Sequence, residues 1–315
     1  MDDPYLGGAW SAFLFGIVLG GKMNISKELD LAIKAAEVKT VDGGYWIGEK
    51  EYATYMTRAE WEAFKNSMVP RALDEYGAGG GGELVEKSGR PPKMACYGSS
   101  SRMIYRLSHH KEGFHYEKKL STTVGGIANL DGFYEDGSRY IFVEAKCHEP
   151  YSAKSNSVSK SYEGLYAFIN KEMGGNVEIT MQTSKCGRYM EVEYFSDGEK
   201  LSYFDMKQMI CHLLGIATGV LKGELVQKQM DFIYLLYDPA ELALASEVKA
   251  AVDAIYERTV YECTLIDFAT LLRIIFAFLR KEKYGDVISE HEIDDMIYKF
   301  TFTLASQEFY PHLLQ

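Results

Sequence analysis

Residues 127–146 read Ile-Ala-Asn-Leu-Asp-Gly-Phe-Tyr-Glu-Asp-Gly-Ser-Arg-Tyr-Ile-Phe-Val-Glu-Ala-Lys. Two β-forming runs, Ile127 to Tyr134 and Arg139 to Lys146, flank Glu135-Asp136-Gly137-Ser138. An Asp-Gly pair between such runs is a strong short-range hairpin signal. With Asp136 and Gly137 as the two loop residues, Glu135 faces Ser138 and Asp131 faces Phe142. Side chains two apart on a strand share a face. Asp131, Glu144 and Lys146 are therefore expected on one face of a sheet, with Ile141, Val143 and Ala145 on the other.

Two carboxylates and an ammonium on a common face suit a hard cation. Carboxylate oxygens are the preferred ligands of Mg²⁺, which keeps several waters and accepts substrate phosphate oxygens. The expected cofactor is Mg²⁺ or Mn²⁺, held by Asp131 and Glu144, with the backbone carbonyl of Ala145 as a further ligand. Lys146 would hold or deprotonate the attacking water and stabilise charge in the transition state. The plain alternative is a solvent-facing Asp131 and an exposed Glu144–Lys146 pair worth under ~1 kcal/mol.

Asp131, a gap, and then Glu144-Ala145-Lys146 at a strand end resembles the PD-(D/E)XK nuclease superfamily, with Leu130 where the pattern has proline. The resemblance reaches further: Glu117 matches an upstream acid, and Gln208, on the helix after the core strands, matches a glutamine found in many members. His212 lies one turn on from Gln208. Glu149-Pro150-Tyr151 after the Glu-Ala-Lys is similar to a bacterial branch of restriction-endonuclease-like proteins. The similarity covers about residues 96 to 240; nothing comparable attaches to the first 95. It implies a metal-dependent nuclease of bacterial defence or repair, with Asp131, Glu144, Lys146, Glu117 and Gln208 as its catalytic set and DNA ahead of RNA as its partner. A homo-oligomer stays open.

Outward from the hairpin, Thr57 and Glu60 mark a helix start that continues through Phe64 and Met68 to Pro70. The glycine run Gly77 to Gly82 and Gly89-Arg90-Pro91-Pro92 read as a loop or hinge, dividing an N-terminal, mainly helical region (1–90) from a nuclease-like domain (91–315). Ser99 caps a helix through Met103, Ile104 and Leu107. Strands are expected at Val177 to Met181, Met190 to Phe195 and Asp231 to Tyr237, and an amphipathic helix from Met206 to Leu221. C-terminal helices are expected over Glu241 to Tyr256, Phe268 to Leu279 and Glu290 to Leu304, with a further strand at Thr259 to Leu265. The fold class is α/β, a mixed central sheet flanked by helices, with helical additions at both ends.

The chain has 315 residues, 47% of them hydrophobic and 25% charged, which excludes disordered and disulfide-scaffold classes. Its net charge of −11 argues against non-specific nucleic-acid binding by a basic coat. One local basic stretch stands out, and Arg102, Arg106, Lys118 and Lys119 are its candidate phosphate contacts. The alternative for that stretch is a solvated helix face and loop. The five cysteines (Cys96, Cys147, Cys186, Cys211, Cys263) are scattered, none at metal-ligand spacing with another, and read as reduced thiols of a cytoplasmic protein. The apolar run Ala9 to Leu19 has no basic residue before it, and at ~1.5 Å per residue spans about 16 Å, short of a ~30 Å hydrocarbon core. It reads as a buried element. The rival to a nuclease is a catalytically silent nuclease-fold module that binds nucleic acid or a protein.

Overall fold

The computed structural model describes residues 24–38, 43–79, 82–152, 156–174, 176–285 and 287–314, so the apolar run at Ala9 to Leu19 lies outside the described residues. Helix α1 (Ile25–Glu37) is capped by Asn24, whose side chain accepts from Lys27 N, and buries Ile25, Leu29 and Ile33 at helical spacing. A small hairpin follows, β1 (Tyr45–Ile47) and β2 (Lys50–Tyr52). Helix α2 (Arg58–Ser67) starts where expected, with a reciprocal capping box between Thr57 and Glu60. Helix α3 (Pro70–Gly79) departs from the loop expected over the glycine run: proline is well placed at a helix start, and the described helix takes in Gly77 to Gly79. Helix α4 (Ser100–Ser108) is capped by Ser99 as expected.

Three strands come next: β3 (His115–Ser121), β4 (Ile127–Glu135) and β5 (Arg139–Lys146). They are followed by β6 (Ser157–Ser159), α5 (Glu163–Met173), β7 (Glu178–Thr183), β8 (Tyr189–Ser196) and β9 (Glu199–Lys200). Helix α6 (Met206–Leu221) leads to β10 (Gln229–Leu236). The C-terminal part comprises α7 (Ser246–Thr264), α8 (Phe268–Leu279), α9 (Glu290–Tyr298), β11 (Phe300–Ser306) and α10 (Tyr310–Leu313). Two expectations fail here. The strand expected at Thr259 to Leu265 is the last part of α7, where Thr259 Oγ1 donates to Ile255 O at 2.8 Å within the helix. The helix expected over Glu290 to Leu304 ends at Tyr298, and Phe300-Thr-Phe-Thr-Leu pairs instead as a strand beside β10. The alternation of β-forming residues and the open edge of β10 together outweigh the helical pattern there.

The central sheet has the order β11-β10-β5-β4-β3. β10 runs parallel to both β5 and β11, and β4 runs antiparallel to its neighbours β3 and β5. The chain is thus an α/β protein with a mixed five-stranded sheet packed against helices. A smaller sheet, β6-β8-β7 with β9 beside β8, stands apart from it. One core, which includes Phe142 and Phe232, joins the central sheet to α5, α6, α8 and the smaller sheet; the other sets Ile141, Val143 and Ala145 against α1, α2, α4 and α7. Trp61 and Tyr76, from before the expected boundary near residue 90, belong to that second core together with the sheet.

The hairpin turn differs from the expected one. Asp136 N donates to Arg139 O at 3.2 Å, and Glu135 pairs with Tyr140, so the two loop residues are Gly137 and Ser138. The turn does not use a left-handed glycine. Instead, Asp136 Oδ1 accepts from Ser138 N at 2.8 Å and Arg139 N at 2.9 Å, the local capping at which aspartate excels. The Ser138 hydroxyl, which donates to the same oxygen at 2.7 Å, and then those backbone donors hold the Asp136 carboxyl well below its ordinary range. Every cross-strand partner moves by two positions. Side-chain parity has period two, so the move leaves the facing of β5 as expected.

Candidate functional site

The ladder between β4 and β5 stops at Gly132 opposite Val143. The next donor on β5, the N–H of Ala145, is taken by the Asp131 side chain, with Oδ2 accepting at 2.8 Å. Across the β3–β4 pair, Tyr116 faces Gly132 and Lys118 faces Leu130, which puts Glu117 opposite Asp131. Both strands twist over at this point. Tyr116 and Leu120 share parity yet enter different cores, and Leu130 and Phe133 differ in parity yet enter the same one. The switch falls on Glu117, whose φ of +52° is left-handed. β4 and β5 part here and leave a cavity of about 350 Å³.

Asp131, Glu144, Lys146, Glu117 and Gln208 all line that cavity. Glu144 and Lys146 are buried on β5, with Lys146 Nζ 2.6 Å from Glu144 Oε1. Gln208 Oε1 accepts from Lys146 Nζ at 2.5 Å, and His212, one turn along α6, sets Nε2 2.8 Å from Glu144 Oε2. Asp205 caps α6 by accepting from Gln208 N at 3.1 Å, which fixes where that helix begins. Within a strand, the N–H and C=O of one residue point to the same side. The Ala145 carbonyl therefore also points to the β4 edge, where Asp131 lies.

The electrostatics are those of crowded acids. Burial, the negative charge of Glu144 and, to a lesser degree, Glu117 push the Asp131 carboxyl well up. Burial, then Glu83, pushes Glu117 up to about 7. Burial opposes the charge on Glu144, but Lys146 and His212 hold its carboxyl below the ordinary value. Burial likewise opposes the Lys146 ammonium, yet Glu144, with Tyr234, Asp205 and Glu149, holds its pKa well above the ordinary lysine value. Lys146 is therefore a permanent cation in this arrangement.

The basic residues are placed elsewhere. Arg102 and Arg106 both pair with Glu37 and line a separate cleft with Tyr97 and Tyr237. Lys118 Nζ lies over the Phe133 ring at 4.7 Å, and Lys119 Nζ donates to Ala78 O at 3.0 Å. None of these four lines the 350 Å³ cavity. The polar groups on its wall that sequence reasoning missed include Tyr55, Glu83, Lys93, Cys96, Asn129 and Ser99 to Ser101. Glu83 is buried, pairs through Oε1 with Lys93 Nζ at 2.7 Å, and leaves Oε2 without a hydrogen-bond partner. Asn129 Nδ2 donates to Glu117 Oε2 at 2.9 Å. Glu83 carries no sequence signal, because it follows a glycine run and belongs to no periodic pattern. Asp30 does carry one: it is a charged residue beside the apolar stripe of α1, and it is buried.

No family model matches the chain, and no curated protein or solved structure does either. Among the described residues, no helix is long and apolar enough to cross a membrane.

Proposed function

We propose that this chain is a metal-dependent phosphodiesterase acting on nucleic acid, with DNA ahead of RNA. The observation that carries the reading is the convergence of Asp131, Glu144, Lys146, Glu117 and Gln208, drawn from three strands and a helix, on one polar cavity. The donor set fits a hard divalent ion. Its ligand atoms are carboxylate oxygens, Glu117 and Asp131 are pushed up by burial and neighbouring acids, and Glu83 adds a buried oxygen without a partner. Asp131 and Glu144 would hold Mg²⁺ or Mn²⁺, with the Ala145 carbonyl beside them. Such an ion, when bound, polarises a phosphate and lowers the pKa of a coordinated water.

The chain's own residues supply the rest. Lys146, kept protonated, stabilises negative charge on the phosphate oxygens, a role in which its charge matters more than its basicity. Gln208 aims that ammonium, and His212 holds the second oxygen of Glu144. Glu117, titrating near neutrality, is suited to take up or release a proton at the cavity wall. The N-terminus of α4, with Ser100 and Ser101 on the wall, offers backbone N–H groups to a phosphate.

The test is cleavage of DNA and RNA with Mg²⁺ or Mn²⁺ by wild type, Lys146→Ala and Asp131→Asn. Each variant is expected to lose on the order of 10²-fold or more in rate. Equal cleavage by all three proteins removes the assignment. A second reading, a silent binding module, draws on one observation: Glu144 is already flanked by Lys146 at ion-pair distance from Oε1 and by His212 against Oε2. Calorimetry with Mn²⁺ separates the two, because a silent module releases no heat that depends on Asp131.

A further inference from the structure

A second cluster stands beside the carboxylate site and differs from it in chemistry. Asp30 comes from α1, Cys96 from the turn that follows the short 3₁₀ segment Lys93–Ala95, and His148 from the exit of β5. His148 Nδ1 lies 2.9 Å from Asp30 Oδ1, and Cys96 Sγ lies 3.5 Å from Asp30 Oδ2. One carboxylate oxygen, one sulfur and one ring nitrogen all fall within 4.8 Å of one another. The carboxylate touches the thiol and the imidazole alike, so the three form a triangle.

We infer that Asp30, Cys96 and His148 form a binding site for a borderline-soft divalent metal of the Zn²⁺ type, with its fourth position open to the cavity. The donors are the reason. Thiolate, imidazole and carboxylate together suit Zn²⁺, whereas Mg²⁺ takes oxygen alone. Ligand bonds of ~2.0–2.3 Å in a tetrahedron set ligand atoms roughly 3.3–3.7 Å apart; the 2.9 Å contact is to Asp30 Oδ1 and the 3.5 Å contact to Oδ2, and with all three ligand atoms inside 4.8 Å a turn of the carboxylate would present one oxygen to an ion shared with the sulfur and the ring nitrogen. Three protein ligands with an open fourth position is the pattern of a reactive zinc site. Cys96 and His148 line the same cavity as Asp131 and Glu144, so the open position faces the same space.

The backbone keeps this place clear. A Cβ on Gly98 would lie 1.7 Å from Asp30 Oδ1 and 3.0 Å from His148 Nδ1, so only glycine lets the carboxylate and the ring meet there. Cys96 is held by a bridge to Tyr55 and by Tyr97 N donating to Thr54 O at 3.1 Å. The three ligand segments are thus packed into position before any ion arrives.

The site is independent of the phosphodiesterase reading, and the experiment keeps the two apart. The full chain, freed of metal and carrying Cys186→Ser to remove the exposed thiol, is titrated with Co²⁺. A thiolate-to-cobalt charge-transfer band saturating at one equivalent is expected, bleached by Zn²⁺. Cys96→Ser abolishes the band, His148→Ala weakens binding by on the order of a hundredfold, and Asp131→Asn leaves the band in place. No band in the parent protein, or an undiminished band in Cys96→Ser, overturns the inference. X-ray absorption on the Zn²⁺-loaded parent needs no ligand variant: a shell with one sulfur and one imidazole is expected, and a shell of oxygen alone overturns it.

Discussion

Asp131 does two jobs through one carboxylate. It ends the β4–β5 ladder by taking the Ala145 N–H, and it adds one more carboxyl to a wall already crowded with acids. Glu117 registers that crowding. Its carboxyl moves from 4.5 to about 7 on folding, chiefly through burial and then Glu83. Between those values the folded protein keeps a proton that the unfolded chain has lost, so stability falls as pH rises through the window. Glu117→Gln removes that slope. In metal-free denaturant titrations it is expected to stabilise the protein at pH 8 by about 1–3 kcal/mol relative to its effect at pH 4. An unchanged pH slope in the variant would show that Glu117 titrates normally. His212→Ala removes the partner of Glu144 Oε2 and frees that oxygen. It is expected to lower turnover more than substrate affinity, read as a fall in kcat with KM nearly constant, because His212 acts through Glu144.

Among the elements, α6 decides whether Gln208 and His212 reach the site. It lies close on the strand pair because Gly215 has no side chain. A Cβ there would fall 2.6 Å from Ala128 Cβ and 3.1 Å from Leu120 Cβ. Gly215→Ala is expected to push α6 off β3 and β4 and cost about 1–3 kcal/mol, visible as a lower Tm, with activity falling further than stability alone explains. The entry to α6 is tied down by Glu262 of α7. This carboxylate, fully buried, accepts from Ser202 N at 3.0 Å and from Tyr203 N and Phe204 N at 2.8 Å each. Glu262→Gln is expected to destabilise the fold by roughly 2–4 kcal/mol, because one of those donors or Arg258 loses a charged partner. Equilibrium unfolding measures this directly, and a change below about 0.5 kcal/mol would deny Glu262 that role.

For the whole molecule, the sheet separates two cores and the site opens where β4 and β5 part inside it. The N-terminal region is part of the site's wall: Tyr55 and Glu83 line it, and Asp30 of α1 reaches His148 beyond the end of β5. Loading the carboxylate site should therefore stabilise the entire fold. A ligand at a hundred times its Kd contributes about 2.7 kcal/mol. Mn²⁺ is accordingly expected to raise the Tm of wild type by several degrees and that of Asp131→Asn by far less, as scanning calorimetry would record.

Much of this was legible in the sequence, because it depends on local rules. The Thr57–Glu60 capping box, the Ser99 cap, the hairpin at Asp136-Gly137 and the helical spacing from Met206 to Leu221 are short-range signals, and each marks an element of the structure. Even the wrong turn residue did no harm, since a shift of two positions leaves strand parity unchanged. Other features needed the tertiary structure. The strand at Phe300–Ser306 exists because β10 offers an edge to pair with, and pairing partners distant in sequence leave no local mark. Arg102 and Arg106 read as phosphate contacts from their spacing, whereas only the fold shows that both pair with Glu37, far away in sequence, whose single charge offsets one of the two. Glu83 and Cys96 join the cavity, and Asp30 meets His148 beside it, from segments with no shared pattern. Periodicity tells which face of its own element a residue occupies, but only packing decides which faces meet.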